Sequence, residues 1–152
     1  MINNQAALWH IYQDVKFSGL PNLTSARKQF ALISIWNARG MRQTKTRNYQ
    51  LSRVVLRYLE HNHIPYQTFW AGCENMYFRE LTVMVNVENA AHANKLAKFA
   101  KQQAYYLVKR QNLYLISTKH NEKTLKLGKI SDYRLTANKR FLKFGRNQAI
   151  AE

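Results

Sequence analysis

Between residues 30 and 118 the apolar residues switch between the two-residue period of a strand and the longer period of a helix. That order limits the folds open to the chain more than any other feature. "FALISIW" (30–36) is rich in apolar, β-favouring residues and predicts a strand. The next apolar stripe, Leu51, Val54, Val55, Tyr58 and Leu59, has helical spacing, with Thr44 or Thr46 as its cap. Pro65 ends that helix, because the residue before a proline disfavours helical geometry. "YQTFWAG" and "MYFRELTVMVNV" predict two strands joined by the turn-like "GCEN". "ENAAHANKLAKFAKQQ" predicts a second helix that buries Ala93, Leu96, Ala97 and Ala100, with its lysines outside. "AYYLVKR" and "LYLIST" complete the pattern as a hairpin turning at "QN".

Strand, helix, strand, strand, helix, strand is the split βαβ arrangement of ferredoxin-like domains. The expected fold is therefore a single α+β domain of that kind, with an added edge strand, an N-terminal helix and a basic C-terminal extension. The N-terminal helix is read over 5–17 from Leu8, Trp9, Tyr12, Val15 and Lys16, and "SGLPNLTSARKQ" is a connector. Residues 29–117 form the core, and 119–152 carry nine Lys or Arg against three acids. That extension is either a basic arm or a segment folded back on the sheet, with "RLTANKRFLKF" as a weakly marked helix.

A chain of 152 residues suffices for one hydrophobic core, and 46% hydrophobic content is too high for a disordered polymer. The single cysteine, Cys73, cannot pair internally, which fits a reducing cytoplasm. No membrane span or secretion signal stands out. The formal charge of +16, from 24 Lys and Arg against 8 Asp and Glu, favours polyanionic partners. Nucleic acid, RNA or DNA, or a nucleic-acid-bound assembly leads, and an acidic protein partner is the alternative.

Three places stand out as sites. In "ISIWNARGMRQTKTRN" (33–48) a strand runs through Gly40 into a helix start, with Arg39, Arg42, Lys45 and Arg47 around it. Free backbone N–H groups at such a start suit phosphate, although the spacing matches no phosphate-loop motif. The second place is the sheet face turned from the helices. If Ala31, Ile33 and Ile35 face the helices, then Phe30, Leu32, Ser34 and Trp36 face away, joined by Phe78, Glu80, Thr82 and Met84. Either its aromatics stack bases or the N-terminal helix, the tail or a second subunit covers it. "YFRELTVMV" lacks the aromatic signature of RNA-recognition sheets. The third is Glu80, a carboxylate among apolar strand residues, where it needs a partner or a purpose. His61 and His63 have no metal-ligand spacing, and no catalytic, metal or cofactor motif is recognisable.

Four short motifs, taken together, resemble a bacterial family known as domain of unknown function 3293. In "ISIWNARG" Trp36 and Asn37 fall in register, with Ala38 where the family commonly has Pro. Asn48 in "RNYQLSRVVLRYL" looks like the family's helix-opening Asn, and Glu80 in "FRELTVMV" like its strand-opening Glu. Gln102 follows an Ala-rich helix, as in the family. The resemblance covers residues 29–117 and implies no reaction. It does mark Asn37, Asn48, Glu80 and Gln102 as one polar set, either bonding the turn and capping the helix or forming a small pocket.

The expectation is thus a non-catalytic, basic cytoplasmic binding protein, with a homodimer possible through its sheet. Arg39, Arg42, Lys45, Arg47 and Arg53, with Lys139 and Arg140 of the extension, are the expected phosphate contacts, and Trp36 and Phe78 the expected stacking residues. The other readings are an inhibitor or accessory subunit docking on an acidic protein, and a small nucleotide-processing enzyme built on Glu80.

Overall fold

The computed structural model describes residues 4–23, 28–119 and 123–135, with side chains from residue 9 onward. It is a mixed α+β structure: a curled, antiparallel seven-stranded sheet with helices on both sides. Helix α1 (Asn4–Gln13) leads into β1 (Lys16–Ser18) and, after the connector, β2 (Gln29–Ser34). Then come α2 (Lys45–His61), β3 (Tyr66–Gly72), β4 (Arg79–Val87), α3 (Ala90–Phe99) and β5 (Ala104–Lys109). β6 (Asn112–Ser117) and β7 (Thr124–Lys129) follow, and short 3₁₀ segments cover Ala38–Gly40 and Ile130–Tyr133. The strands lie in the order β1-β3-β4-β2-β5-β6-β7.

Thr44 caps α2 by accepting from the Arg47 N–H at 3.2 Å, and Asn89 caps α3 by accepting from His92 N–H at 2.9 Å. α3 buries Ala93, Leu96, Ala97 and Ala100 as expected, and these small residues let it lie close to the sheet. α2 departs from its expected stripe. It buries Asn48, Ser52, Val55 and Leu59, while Val54 and Tyr58 are exposed. Ser52 fits inside because its hydroxyl donates to the Asn48 carbonyl at 2.6 Å.

The alternation read along β2 and β4 holds for the strand residues proper. Ala31, Ile33, Val83 and Val85 pack under α2 and α3, and Leu32 and Met84 face the other way. Trp36 is a correction. The chain bends after Ser34, so Trp36 packs on the helix side, its ring 5.3 Å from Trp70 at 75°.

The face away from α2 and α3 is covered, one of the two readings of it, but chiefly by the sheet itself, with α1 beside it. Phe17 of β1 lies 5.4 Å from the Tyr106 ring of β5, four strands away; in a flat sheet that separation would be roughly 19 Å. The sheet must therefore curl around this face. Phe17 also bridges Arg134, beyond β7, so the two ends of the sheet meet. Val15, Phe17, Leu20, Leu23, Leu32, Tyr106, Leu113, Leu115 and Ile130 fill the inside as a second core.

Three further expectations change. Lys16 and Phe17 are strand, not helix, because they pair with β3 in the register Lys16↔Gly72 and Phe17↔Ala71. The hairpin turns at Arg110–Gln111, whose φ angles of 52° and 69° match the twist of the flanking strands, and Asn112 pairs with Lys109. β6 is not the edge: β7, from the segment read as an extension, continues the sheet beyond it. The helix read in "RLTANKRFLKF" lies, from residue 136 on, outside the described residues.

Candidate functional site

The site begins where β2 stops. The Ser34 hydroxyl donates to the Trp36 carbonyl at 3.1 Å and accepts from the Trp36 N–H at 3.2 Å, turning the chain. Asn37 then adopts φ 51°, a left-handed conformation that asparagine tolerates better than most residues. This places its side chain between the loop and the sheet. Its Oδ1 accepts from Gln43 N–H at 2.9 Å and from Asn48 Nδ2 at 3.2 Å. Its Nδ2 donates to Glu80 Oε2 at 2.8 Å, and its own N–H donates to Asn48 Oδ1 at 2.7 Å. Gln102 Nε2 reaches the same turn, donating to the Trp36 carbonyl at 2.9 Å. Asn37, Asn48, Glu80 and Gln102, spread over 66 positions, thus meet in one hydrogen-bonded cluster. Asn48 does not cap α2, a role that falls to Thr44; it pairs reciprocally with Asn37 instead.

Glu80 belongs to this cluster and also to a cavity of about 190 Å³ inside the curl. Ser34, Glu80 and Tyr106 line it from the sheet, and Ile11 and Tyr12 from α1. Ile11, Asp14, Cys73 and Phe78 line it and are exposed, so they mark its mouth. Gly72 shapes that mouth: a Cβ there would lie 2.1 Å from the Phe78 carbonyl oxygen, so only glycine permits the hairpin to close. The walls are mostly apolar. Burial accordingly pushes the Glu80 carboxyl above its ordinary range, against hydrogen bonds from Asn37 and Ser34 that pull it down. Burial, and then the Glu80 charge, pushes the Tyr12 hydroxyl up to about 12. The buried Tyr106 hydroxyl rises well above its usual value and donates to the Tyr12 carbonyl at 2.5 Å. A carboxylate among aromatic rings, with a mouth to solvent, can accept hydrogen bonds from a small flat ligand.

The basic loop sits directly outside the cluster. Arg39, Arg42, Lys45, Arg47 and Arg53 are all exposed, so their charges are available to a partner. The loop backbone is not available in the way expected. Arg39 N–H donates to the Lys101 carbonyl at 2.7 Å, Gly40 N–H to Asn37 and Met41 N–H to Ala38. Gln43 and Arg47 N–H are also engaged, which leaves an anion fewer backbone donors than expected and gives more of the contact to side chains. Along α2, Lys45, Tyr49, Arg53 and Arg57 follow one another at four-residue intervals on the exposed side. The Arg53 guanidinium lies 5.6 Å from the centre of the Tyr49 ring.

Of the two expected stacking residues, Phe78 is 48% exposed beside the cavity, whereas Trp36 is partly buried against the helix-side core. Its indole N–H has no acceptor among the described residues. Lys139 and Arg140 lie outside the described residues. Among the described residues no three His, Cys, Asp or Glu side chains gather as a metal site, and no helix is long and apolar enough to cross a membrane. Tyr12, Tyr106 and the cavity itself were not singled out from sequence. Tyr105 and Tyr106 are adjacent in a strand, so one of them had to face each side. Their alternation was the available signal, but nothing in it revealed the cavity.

Comparisons with protein-family models, with curated proteins and with solved structures return no match to this chain.

Proposed function

We propose that this chain is a basic, non-catalytic nucleic-acid-binding protein that holds the phosphate backbone through side-chain cations. The observation that carries the reading is the exposed series Arg39, Arg42, Lys45, Arg47, Arg53 and Arg57 along one loop and one helix, in a chain of net charge +16. Because these contacts are cationic and point-like, sequence preference from them is low. A cytoplasmic setting fits the partner.

The resemblance to the family of domain of unknown function 3293 belongs to the same proposal. It is supported by the way Asn37, Asn48, Glu80 and Gln102 meet in one cluster. Within the sheet, β3-β4-β2-β5 is the strand order of a ferredoxin-like unit, so we read the central portion as such a unit. β1 on one side and β6 and β7 on the other enlarge it.

A second reading has its own observation. Val54, Tyr58 and Phe99 are exposed together, with the Tyr58 and Phe99 rings 4.4 Å apart, and Arg53 and Arg57 lie alongside. An apolar patch rimmed by cations suits an acidic protein partner, or a second copy only if that copy offers acids. Competition separates the two, because RNA or DNA displaces a partner bound at a nucleic-acid site.

The direct test is fluorescence anisotropy with short single- and double-stranded RNA and DNA over a salt series. The expected result is affinity that falls steeply with salt, and a slope reduced by about one in each of Arg42→Ala and Arg47→Ala. A flat salt response sinks the reading.

A further inference from the structure

We propose that the cavity beside Glu80 takes a single unstacked nucleobase, with its phosphate held by the basic loops outside. The inference rests on the nucleic-acid reading and adds a specificity pocket to it.

Size limits the ligand first. About 190 Å³ is below the roughly 300–1,000 Å³ of pockets for drug-sized molecules, and the space lies between sheet and helix rather than along a groove. One flat ring system fits such a space better than a chain of linked groups. The lining is suited to a flat ring, since Tyr12, Tyr106 and Phe78 bring three aromatic side chains to the same cavity. Phe78 stands at the mouth, 48% exposed, where an incoming base would meet it first.

Glu80 then selects the chemistry. A carboxylate in an apolar cavity is stabilised by N–H donors that replace lost water, and the base edges of guanine, cytosine and adenine supply them. Uracil presents carbonyl oxygens on both sides of its single ring N–H, and these meet the carboxylate unfavourably. The Glu80 position is well defined, because Asn37 grips Oε2 at 2.8 Å and is itself fixed by Asn48 and Gln43.

The charges are divided: among the described residues Asp14 and Glu80 line the cavity with no Lys or Arg, and the cations lie on loops beside it. Asn37 bonds Glu80 and, two residues on, the same turn carries Arg39. Arg39 N–H is tied to the carbonyl of Lys101, whose neighbour Gln102 lines the cavity. Thr118 donates to the Gln102 carbonyl at 2.9 Å, and exposed Lys119 follows it. Three loops joined by hydrogen bonds therefore tie exposed Arg39, Lys101 and Lys119, through chain neighbours or a backbone bond, to Gln102, which lines the cavity. A nucleotide suits that division, its base N–H groups meeting Glu80 and its phosphate meeting the loop cations.

The test compares labelled single strands of equal length: oligo(A), oligo(C), oligo(U), and oligo(A) with abasic sites that keep every phosphate. Wild type is expected to bind the abasic strand about tenfold more weakly than intact oligo(A), with oligo(U) between them. Ala71→Leu places a larger side chain in the cavity, opposite Glu80 in the register. It should make all four strands bind alike while keeping the salt dependence. Glu80→Gln, which can still accept from Asn37, should reduce the disadvantage of oligo(U) and serves if Ala71→Leu fails to fold by circular dichroism. Equal wild-type binding to abasic and intact strands, at retained salt dependence, overturns the base pocket and leaves the phosphate reading standing. Absence of binding to every strand at low salt overturns both.

Discussion

The two faces of the sheet are finished differently. The helix face is closed by Val55 and Leu59 of α2 and by Ala93, Leu96 and Ala97 of α3, packed against Ala31, Ile33, Val83 and Val85 around a hollow of about 10 Å³. The inner face is enclosed by the sheet's own curl and by α1, which supplies Tyr12 and Ile11 rather than a continuous apolar stripe. Curling a sheet around bulky aromatic residues leaves space that flat packing against small residues does not. Glu80 and its cavity lie on this second face. The closed face serves stability, and the incompletely filled one offers a place for a ligand.

The comparison breaks first on deletion. Leu59→Ala, at a site 2% exposed on the helix face, is expected to cost about 2–5 kcal/mol in denaturant unfolding, since the tight packing there cannot collapse into the gap. Next comes enlargement. Ala97→Leu, with no exposure on the same face, should lose about 1–3 kcal/mol. Ala71→Leu, beside the cavity, should stay within about 1 kcal/mol of wild type because space receives it. Equal losses for the two enlargements would mean that the faces are packed alike.

The smallest effect concerns charge. Burial raises the Glu80 carboxyl above its ordinary 4.5, so the folded state holds this proton more tightly than the unfolded one. Its contribution to stability is complete below about pH 4.5 and is lost as pH rises through the raised value. Glu80→Gln has no charge to bury. Its melting temperature should match wild type near pH 4 and exceed it near pH 8. A difference that stays constant across this range would place Glu80 in water rather than in the cavity.

Much of the candidate site was legible, but unevenly. The polar set Asn37, Asn48, Glu80 and Gln102 came from short motifs, and the structure supplies the reason they belong together: each bonds the turn after β2 or a member of that turn. The exposed cations of 39–53 were visible in composition, but the engagement of the loop's own N–H groups was not, because carbonyl partners such as Lys101 lie far along the chain. On α2 an apolar count favoured Val54 and Tyr58 over Asn48 and Ser52. Periodicity cannot foresee that two polar residues bury themselves by bonding to each other and to Asn37. β7 was missed since "TLKLGK" has only two apolar residues, and its strand state depends on pairing with β6.

What the sequence by itself determined was local: the periods that make strands and helices, the cap at Thr44, and the face to which each strand residue turns. These follow from backbone geometry over a few residues, which any reader of the chain can apply. Only the tertiary structure decided that the sheet curls, that β1 reaches the chain beyond β7, and that Phe17 meets Tyr106 across four strands. Those depend on the summed twist of seven strands and on contacts between residues about 90 apart or more, which local spacing does not encode. The cavity beside Glu80 is a product of that curl, and so is the chemistry proposed for it.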